Sequence, residues 1–152
     1  MNEDATTIGN SASRNAALAG PGGRPLVNPP AAQLLGRRVI SYDPEAGRGA
    51  YVYVARPEFC NRHGTVQGGV LAAMLDSATG FTLIESLPEG LTAVTRDLNT
   101  RFLKPASPGE IFAEARVTQR DERGAQVEGE LRSPDGVTLA TAVAVMRFVR
   151  RG

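Results

Sequence analysis

The stretch from Asn61 to Gly80, NRHGTVQGGVLAAMLDSATG, constrains this chain more than any other. It begins as a polar, glycine-bearing loop and turns into a run too rich in Ala, Leu and Met for a loop. Val70 to Leu87 reads as one helix of about five turns. Val70, Leu71, Met74, Leu75, Ala78, Phe81, Leu83 and Ile84 cover most of its circumference, and a helix apolar nearly all round is a buried helix. Asp76 stands in the middle of it. An isolated carboxylate there is costly unless it finds a partner or shifts its pKa. Two readings are open: a rim residue satisfied by solvent or by Ser77 or Thr79, or a catalytic carboxylate held on a rigid element.

The loop ahead of the helix bears on that choice. Gly68-Gly69 lies where the helix begins, so backbone N–H groups without intrahelical partners and the positive end of the helix dipole meet there. Glycine lets a ligand approach such a backbone closely, and the place suits an anion or a carbonyl oxygen becoming one. The competing reading of the pair is a tight turn needing positive φ. Gly68 and Asp76 are eight positions apart, roughly 12 Å along one helix at 1.5 Å per residue. One carbonyl cannot touch both. If the two share a site, they come from two copies of the helix, antiparallel across a two-fold axis.

The remainder reads mostly as strand. Arg38 to Tyr42 and Ala50 to Arg56 flank a hairpin connection, and Pro29 to Gly36 reads as a short helix ahead of them. After Pro88-Glu89-Gly90 come strands at Thr92–Phe102, Glu110–Gln119, Ala125–Arg132 and Thr138–Arg150, separated by Pro- and Gly-bearing turns. The order β-β-α-β-β-β-β predicts an α+β fold, an antiparallel sheet wrapped around one long central helix. The expected domain spans 29–152. Residues 1–28, rich in Asn, Ala, Ser, Thr and Gly, are expected to be disordered and do not read as a secretory signal.

Seventeen Lys and Arg against sixteen Asp and Glu give a net charge of +1, which supplies no strong field for nucleic acid or a membrane surface. No apolar run reaches bilayer length. The lone cysteine, Cys60, excludes an internal disulfide and fits a cytoplasmic location.

Asn61, Gly68 and Asp76, with the Gly64–Gly69 turn and the downstream Arg101-Phe102-Leu103-Lys104-Pro105-Ala106, resemble the signature of the hotdog-fold acyl-CoA thioesterases. The branch resembled is the one that includes the phenylacetate-pathway thioesterases. That resemblance implies a metal-free hydrolase without cofactor, acting on acyl-CoA as a homodimer or a dimer-of-dimers tetramer. It implies that the Gly68 N–H polarises the thioester carbonyl and that Asp76 of the partner subunit serves as base or nucleophile. Asn61 would orient the thioester or the water, and Thr95 stands where the family places a hydroxyl that helps hold the water. Gln67, Gly69 and His63 would border the substrate. The family commonly has histidine ahead of the glycine pair, where this chain has Gln67; His63, its only histidine, lies four residues earlier. Arg101, Lys104, Arg150 and Arg151 are candidates for CoA phosphates. Two other readings stay open, a non-catalytic acyl-thioester binding or scaffold protein and a hotdog hydratase or dehydratase. The latter needs a histidine paired with an acid.

Overall fold

The computed structural model describes residues 19–152. A short helix α1 (Pro30–Leu34) leads into strands β1 (Arg38–Asp43) and β2 (Arg48–Ala55). A loop carrying a single 3-10 turn at Pro57–Phe59 then reaches the long helix α2 (Gly68–Ile84). Four strands complete the chain: β3 (Leu91–Phe102), β4 (Gly109–Arg120), β5 (Gly124–Arg132) and β6 (Thr138–Arg150). All six form one antiparallel sheet in the order β1-β2-β4-β5-β6-β3, with α2 packed against β2 to β6. The α+β architecture read from the strand pattern is the one observed.

Strand periodicity explains the wrapping. On β5, Ala125, Val127, Gly129 and Leu131 are buried while the residues between them are half-exposed. The buried set faces α2, where Met74, Leu75 and Leu83 have no exposed surface. Gly129 lets the helix come close: a Cβ there would stand 3.0 Å from Thr79 Cγ2 and 3.3 Å from Leu75 Cδ2. Truncating a side chain as well packed as Leu75 to Ala costs about 2–5 kcal/mol.

The helix differs from its expected form in two ways. It starts at Gly68, two residues early, because the Gln67 carbonyl accepts from the N–H groups of Val70 and Leu71. It ends at Ile84, and Glu85 to Leu87 continue as overlapping turns rather than helix. The expectation of burial all round is also corrected. Ala78 to Leu83 are buried without a break, but Gly69, Ala73 and Asp76 form an exposed stripe along the first half. Val70, Leu71, Met74, Leu75, Ala78, Phe81, Leu83 and Ile84 leave one arc of the helix unfilled, and Gly69, Ala73 and Asp76 occupy it.

Polar side chains against the helix are paired, whereas Thr100 Oγ1 on β3 is buried with no partner among the described residues. Thr79 and Thr82 hydroxyls donate back to the carbonyls of Leu75 and Ala78, each at 2.8 Å. Tyr51 shares a 2.6 Å hydrogen bond with Thr82 Oγ1, and Tyr53 donates to Ser77 Oγ at 2.9 Å. Arg37, only 8% exposed, lies 4.1 Å over the Phe81 ring and donates to Ser77 Oγ and the Val27 carbonyl. Burial pulls its pKa downward.

Of the segment 1–28, residues 1–18 lie outside the described residues. The rest runs along the domain, where Arg24 Nη2 donates to the Leu87 carbonyl at 2.7 Å and Ala19 bridges Pro25. Among the described residues, no helix is long and apolar enough to cross a membrane.

Candidate active site

The loop before α2 is fixed by its own backbone. Asn61 N–H donates to the Thr65 carbonyl at 2.8 Å, Gln67 N–H to Phe59 and Val66 N–H to Ala106. Gly64 supplies the reversal with φ +77°, a conformation that side chains disfavour. Inside this turn Asn61 Oδ1 accepts from His63 N–H at 2.9 Å, Thr65 Oγ1 at 3.2 Å and Thr65 N–H at 3.4 Å. The amide oxygen of Asn61 therefore holds the turn, as an asparagine turn would require. Among the described residues its Nδ2 group donates to nothing and remains available. His63 is exposed on the same loop.

Gly68 and Gly69 occupy the first turn of α2, and neither has positive φ. A tight turn is thus not what these glycines serve. Their N–H groups lie before the first intrahelical donors, so the helix leaves them unpaired. A Cβ on Gly69 would meet no described atom within 4 Å. A Cβ on Gly68 would come to 3.4 Å from the Phe102 ring, ordinary contact. Packing within one protomer therefore does not demand glycine at Gly69. Gln67 is exposed, and its side chain makes no capping bond.

Two turns further along, Asp76 is exposed on the stripe and accepts a 2.9 Å hydrogen bond from Thr95 Oγ1 of the edge strand β3. The following residue, Arg96, is the extra one in a β-bulge between Thr95 and Asp97. Thr95 pairs with Met146 on the face toward the helix, and the bulge re-aims the residues beyond it.

The structure brings Asp76 and Thr95 together, and it gathers Asn61 and His63 in one turn next to Gln67, Gly68 and Gly69. It does not bring Asp76 to Gly68 within a protomer, since both sit on one helix. Arg101, Lys104, Arg150 and Arg151 are exposed. Phe102 is the residue that sequence reasoning left without a role. It is 55% exposed, and its ring lies on Gly68. Its place in the Arg101–Ala106 match was the available signal. Met74, Leu75 and Phe81 are buried core. Among the described residues no group of three His, Cys, Asp or Glu side chains is placed to hold a metal.

A six-stranded antiparallel sheet around one long helix, with a glycine pair opening that helix, is the hotdog fold of thioester hydrolases. The chain belongs to the thioesterase superfamily, whose profile matches residues 63–140. Within it the chain falls in the PaaI-like branch. It is 40% identical to a phenylacetic acid degradation-related protein of Ralstonia eutropha JMP134, covering 83% of this chain and 93% of that one, with a TM-score of 0.76. The PaaI protein of the E. coli phenylacetic acid degradation operon is 25% identical over 82% of this chain and 86% of that chain, TM-score 0.73. A Bacillus halodurans protein solved with CoA is 28% identical over 66% of each chain, TM-score 0.64.

Proposed function

We propose that the substrate is an acyl-CoA, hydrolysed to CoA and a carboxylic acid at a site shared by two copies of the chain. The observation that carries this reading is the exposed stripe of α2: an unpaired glycine-rich helix start at one end and an Asp76 carboxylate, fixed by Thr95, about two turns away. Antiparallel apposition of two such stripes brings the Asp76 of one copy toward the Gly68 of the other. Nothing but small side chains intervenes at Gly69 and Ala73. The CoA seen with the Bacillus halodurans relative supports the choice of thioester.

In this site the thioester carbonyl accepts from the Gly68 N–H, a donor worth roughly 3–4 kcal/mol to the tetrahedral intermediate. Asp76 of the partner subunit takes a proton from a water as that water adds to the carbonyl carbon. The C–S bond then breaks, and the departing thiolate recovers a proton. Direct attack by the carboxylate, giving an anhydride that water then opens, uses the same groups. Asn61 Nδ2, Gln67 and His63 stand where the thioester enters, and Phe102 offers an apolar wall beside the carbonyl.

The test is thiol release from a panel of short, medium, long and aryl acyl-CoAs, with Asp76→Ala compared with wild type. Turnover falling by two or more orders of magnitude in a variant of unchanged mass supports the carboxylate mechanism and names the acyl class. A variant as active as wild type removes Asp76 from the chemistry.

A further inference from the structure

Ser77 follows Asp76 on α2, and it is held from outside the helix. Its Oγ accepts from the Tyr53 hydroxyl at 2.9 Å and from Arg37 Nη1 at 3.2 Å. Those two bonds occupy both lone pairs of the hydroxyl oxygen. Thr79 and Thr82, further along, donate instead to carbonyls of the helix itself. Tyr53 belongs to β2, and Arg37 immediately precedes β1. These two strands form one margin of the sheet, and β3, the strand of Thr95, is the opposite edge. The two margins therefore grip successive residues of one helical turn: Thr95 takes Asp76, and the Arg37–Tyr53 pair takes Ser77. Neighbouring residues stand about 100° apart around a helix, so a rotation that moved Ser77 would carry Asp76 with it.

Arg37 is the unusual member of this grip. It is 8% exposed and forms no ion pair among the described residues, whereas Arg38, Arg56, Arg116 and Arg132 all do. Its guanidinium spans one turn of α2, bonding Ser77 and lying 4.1 Å over the ring of Phe81 four residues on. The second nitrogen donates to the Val27 carbonyl at 2.9 Å. A buried charge without a counter-ion is a cost that packing does not require, since an apolar chain of similar length fills such a slot as well or better. What an apolar chain lacks is the N–H aimed at Ser77. The charge of Asp76 is also felt at this point. Burial is the main cause of the raised Tyr53 pKa, and the Asp76 carboxylate adds to the rise.

We propose that Arg37 is a positioning residue for the hydrolysis: by fixing Ser77 it sets the rotation of α2 that presents the Asp76 carboxylate to the substrate. This role rests on the reading of Asp76 as the reacting carboxylate. Arg37 touches neither substrate nor water in it and acts only through the serine.

The experiment measures kcat, KM and Tm for Arg37→Met, Ser77→Ala and the double variant on the thioester that the wild type hydrolyses best, well below every melting midpoint. Val127→Ala, a truncation of a fully buried side chain that makes none of these bonds, is the stability control. Arg37→Met is expected to lose at least tenfold in kcat, with KM within twofold of wild type and Tm no lower than that of Val127→Ala. The control is expected to keep its kcat within twofold. Ser77→Ala should fall as far as Arg37→Met, and adding Arg37→Met to it should change kcat less than twofold, because the arginine acts through the serine. A wild-type kcat in Ser77→Ala overturns the proposal even where Arg37→Met does not fold. So does a loss from Arg37→Met that is equally large in both backgrounds, or one that Val127→Ala reproduces. The two readings fail in different ways. Wild-type turnover in Asp76→Ala removes the catalytic carboxylate and this role with it, whereas a dead Asp76→Ala beside a fully active Arg37→Met removes Arg37 alone.

Discussion

Thr95 Oγ1 donates to Asp76 Oδ1 at 2.9 Å, joining the edge strand of the sheet to the exposed stripe of its helix. The bond uses the only proton of the threonine hydroxyl, so Thr95 meets a water only as an acceptor. Its effect is to orient one carboxylate oxygen, while the other has no partner among the described residues. A hydrogen bond to a charged group contributes about 1.5–3 kcal/mol, equivalent to roughly 10- to 100-fold in rate if it is fully used in the transition state. Thr95→Val keeps the β-branched shape and removes the donor. It is expected to lower kcat within that range with KM nearly unchanged, while Thr95→Ser stays close to wild type. A Thr95→Val variant with wild-type kcat would show that the carboxylate needs no orientation.

Gly69 has open space where a side chain would stand and no conformational need for glycine. On propensity alone Gly69→Ala adds up to about 1 kcal/mol to helix stability. The expected outcome is therefore a Tm equal to or above wild type together with thiol release reduced tenfold or more, since the methyl group intrudes on whatever approaches the stripe. Melting curves and rates on one preparation check both halves. A stable, fully active Gly69→Ala would mean that neither substrate nor a second copy comes close to this turn.

Asn61 invites a split between its two ends. The amide oxygen holds the loop through three hydrogen bonds, and the amide nitrogen has no partner among the described residues. Asn61→Asp keeps an acceptor for the turn and abolishes the donor. Stability is expected to stay within about 0.5 kcal/mol of wild type, as for substitutions that spare the structural contacts, while activity falls. Asn61→Ala is expected to lose about 1–2 kcal/mol as well as activity. Denaturant midpoints beside rates separate the cases, and an active Asn61→Asp would leave Asn61 as a turn residue alone.

Much of this fold was legible because its signals are local. Alternation along Ile111, Ala113, Ala115 and Val117 marks β4, and the Pro- and Gly-bearing turns divide the strands close to their observed ends. The glycine pair and Asp76 stand out as candidates from their spacing on one helix. The exposed stripe was not legible, because glycine and alanine such as Gly69 and Ala73 occur on covered and uncovered helix faces alike. A hollow lined by Arg96, Arg120, Arg123 and Arg147 was out of reach for another reason. Arg96, the Arg120–Arg123 hairpin and Arg147 stand far apart in sequence and meet only through the pairing of β5 with β4 and of β6 with β5 and β3, with a bulge shifting Arg96 by one place. Phe102 shows the middle case: its segment was conspicuous, but only the approach of its ring to Gly68 places it beside the candidate site.

The three tyrosines of the chain provide a test of the core that is independent of substrate. Tyr51 and Tyr53 are fully buried, and Tyr42 is half-buried with its hydroxyl donating to the Thr82 carbonyl at 3.3 Å. Burial raises all three: Tyr53 is pushed up to about 12, and Tyr42 and Tyr51 lie higher still. An unfolded tyrosine ionises near 10. Between those values the folded chain holds more protons than the unfolded one, so its stability falls as pH rises. The contribution is complete below about pH 10 and is lost as pH climbs through the folded values. Absorbance at 295 nm, followed on native protein beside protein in guanidinium chloride, reads this directly. Tyrosinate is expected near pH 10 in the denaturant, and in the native chain only about two units later or in step with loss of the far-ultraviolet circular dichroism signal. Tyrosines that ionise near pH 10 with the fold intact would show that the Tyr51–Thr82 and Tyr53–Ser77 pairs are open to water, and the packing of α2 on β2 would have to be redrawn.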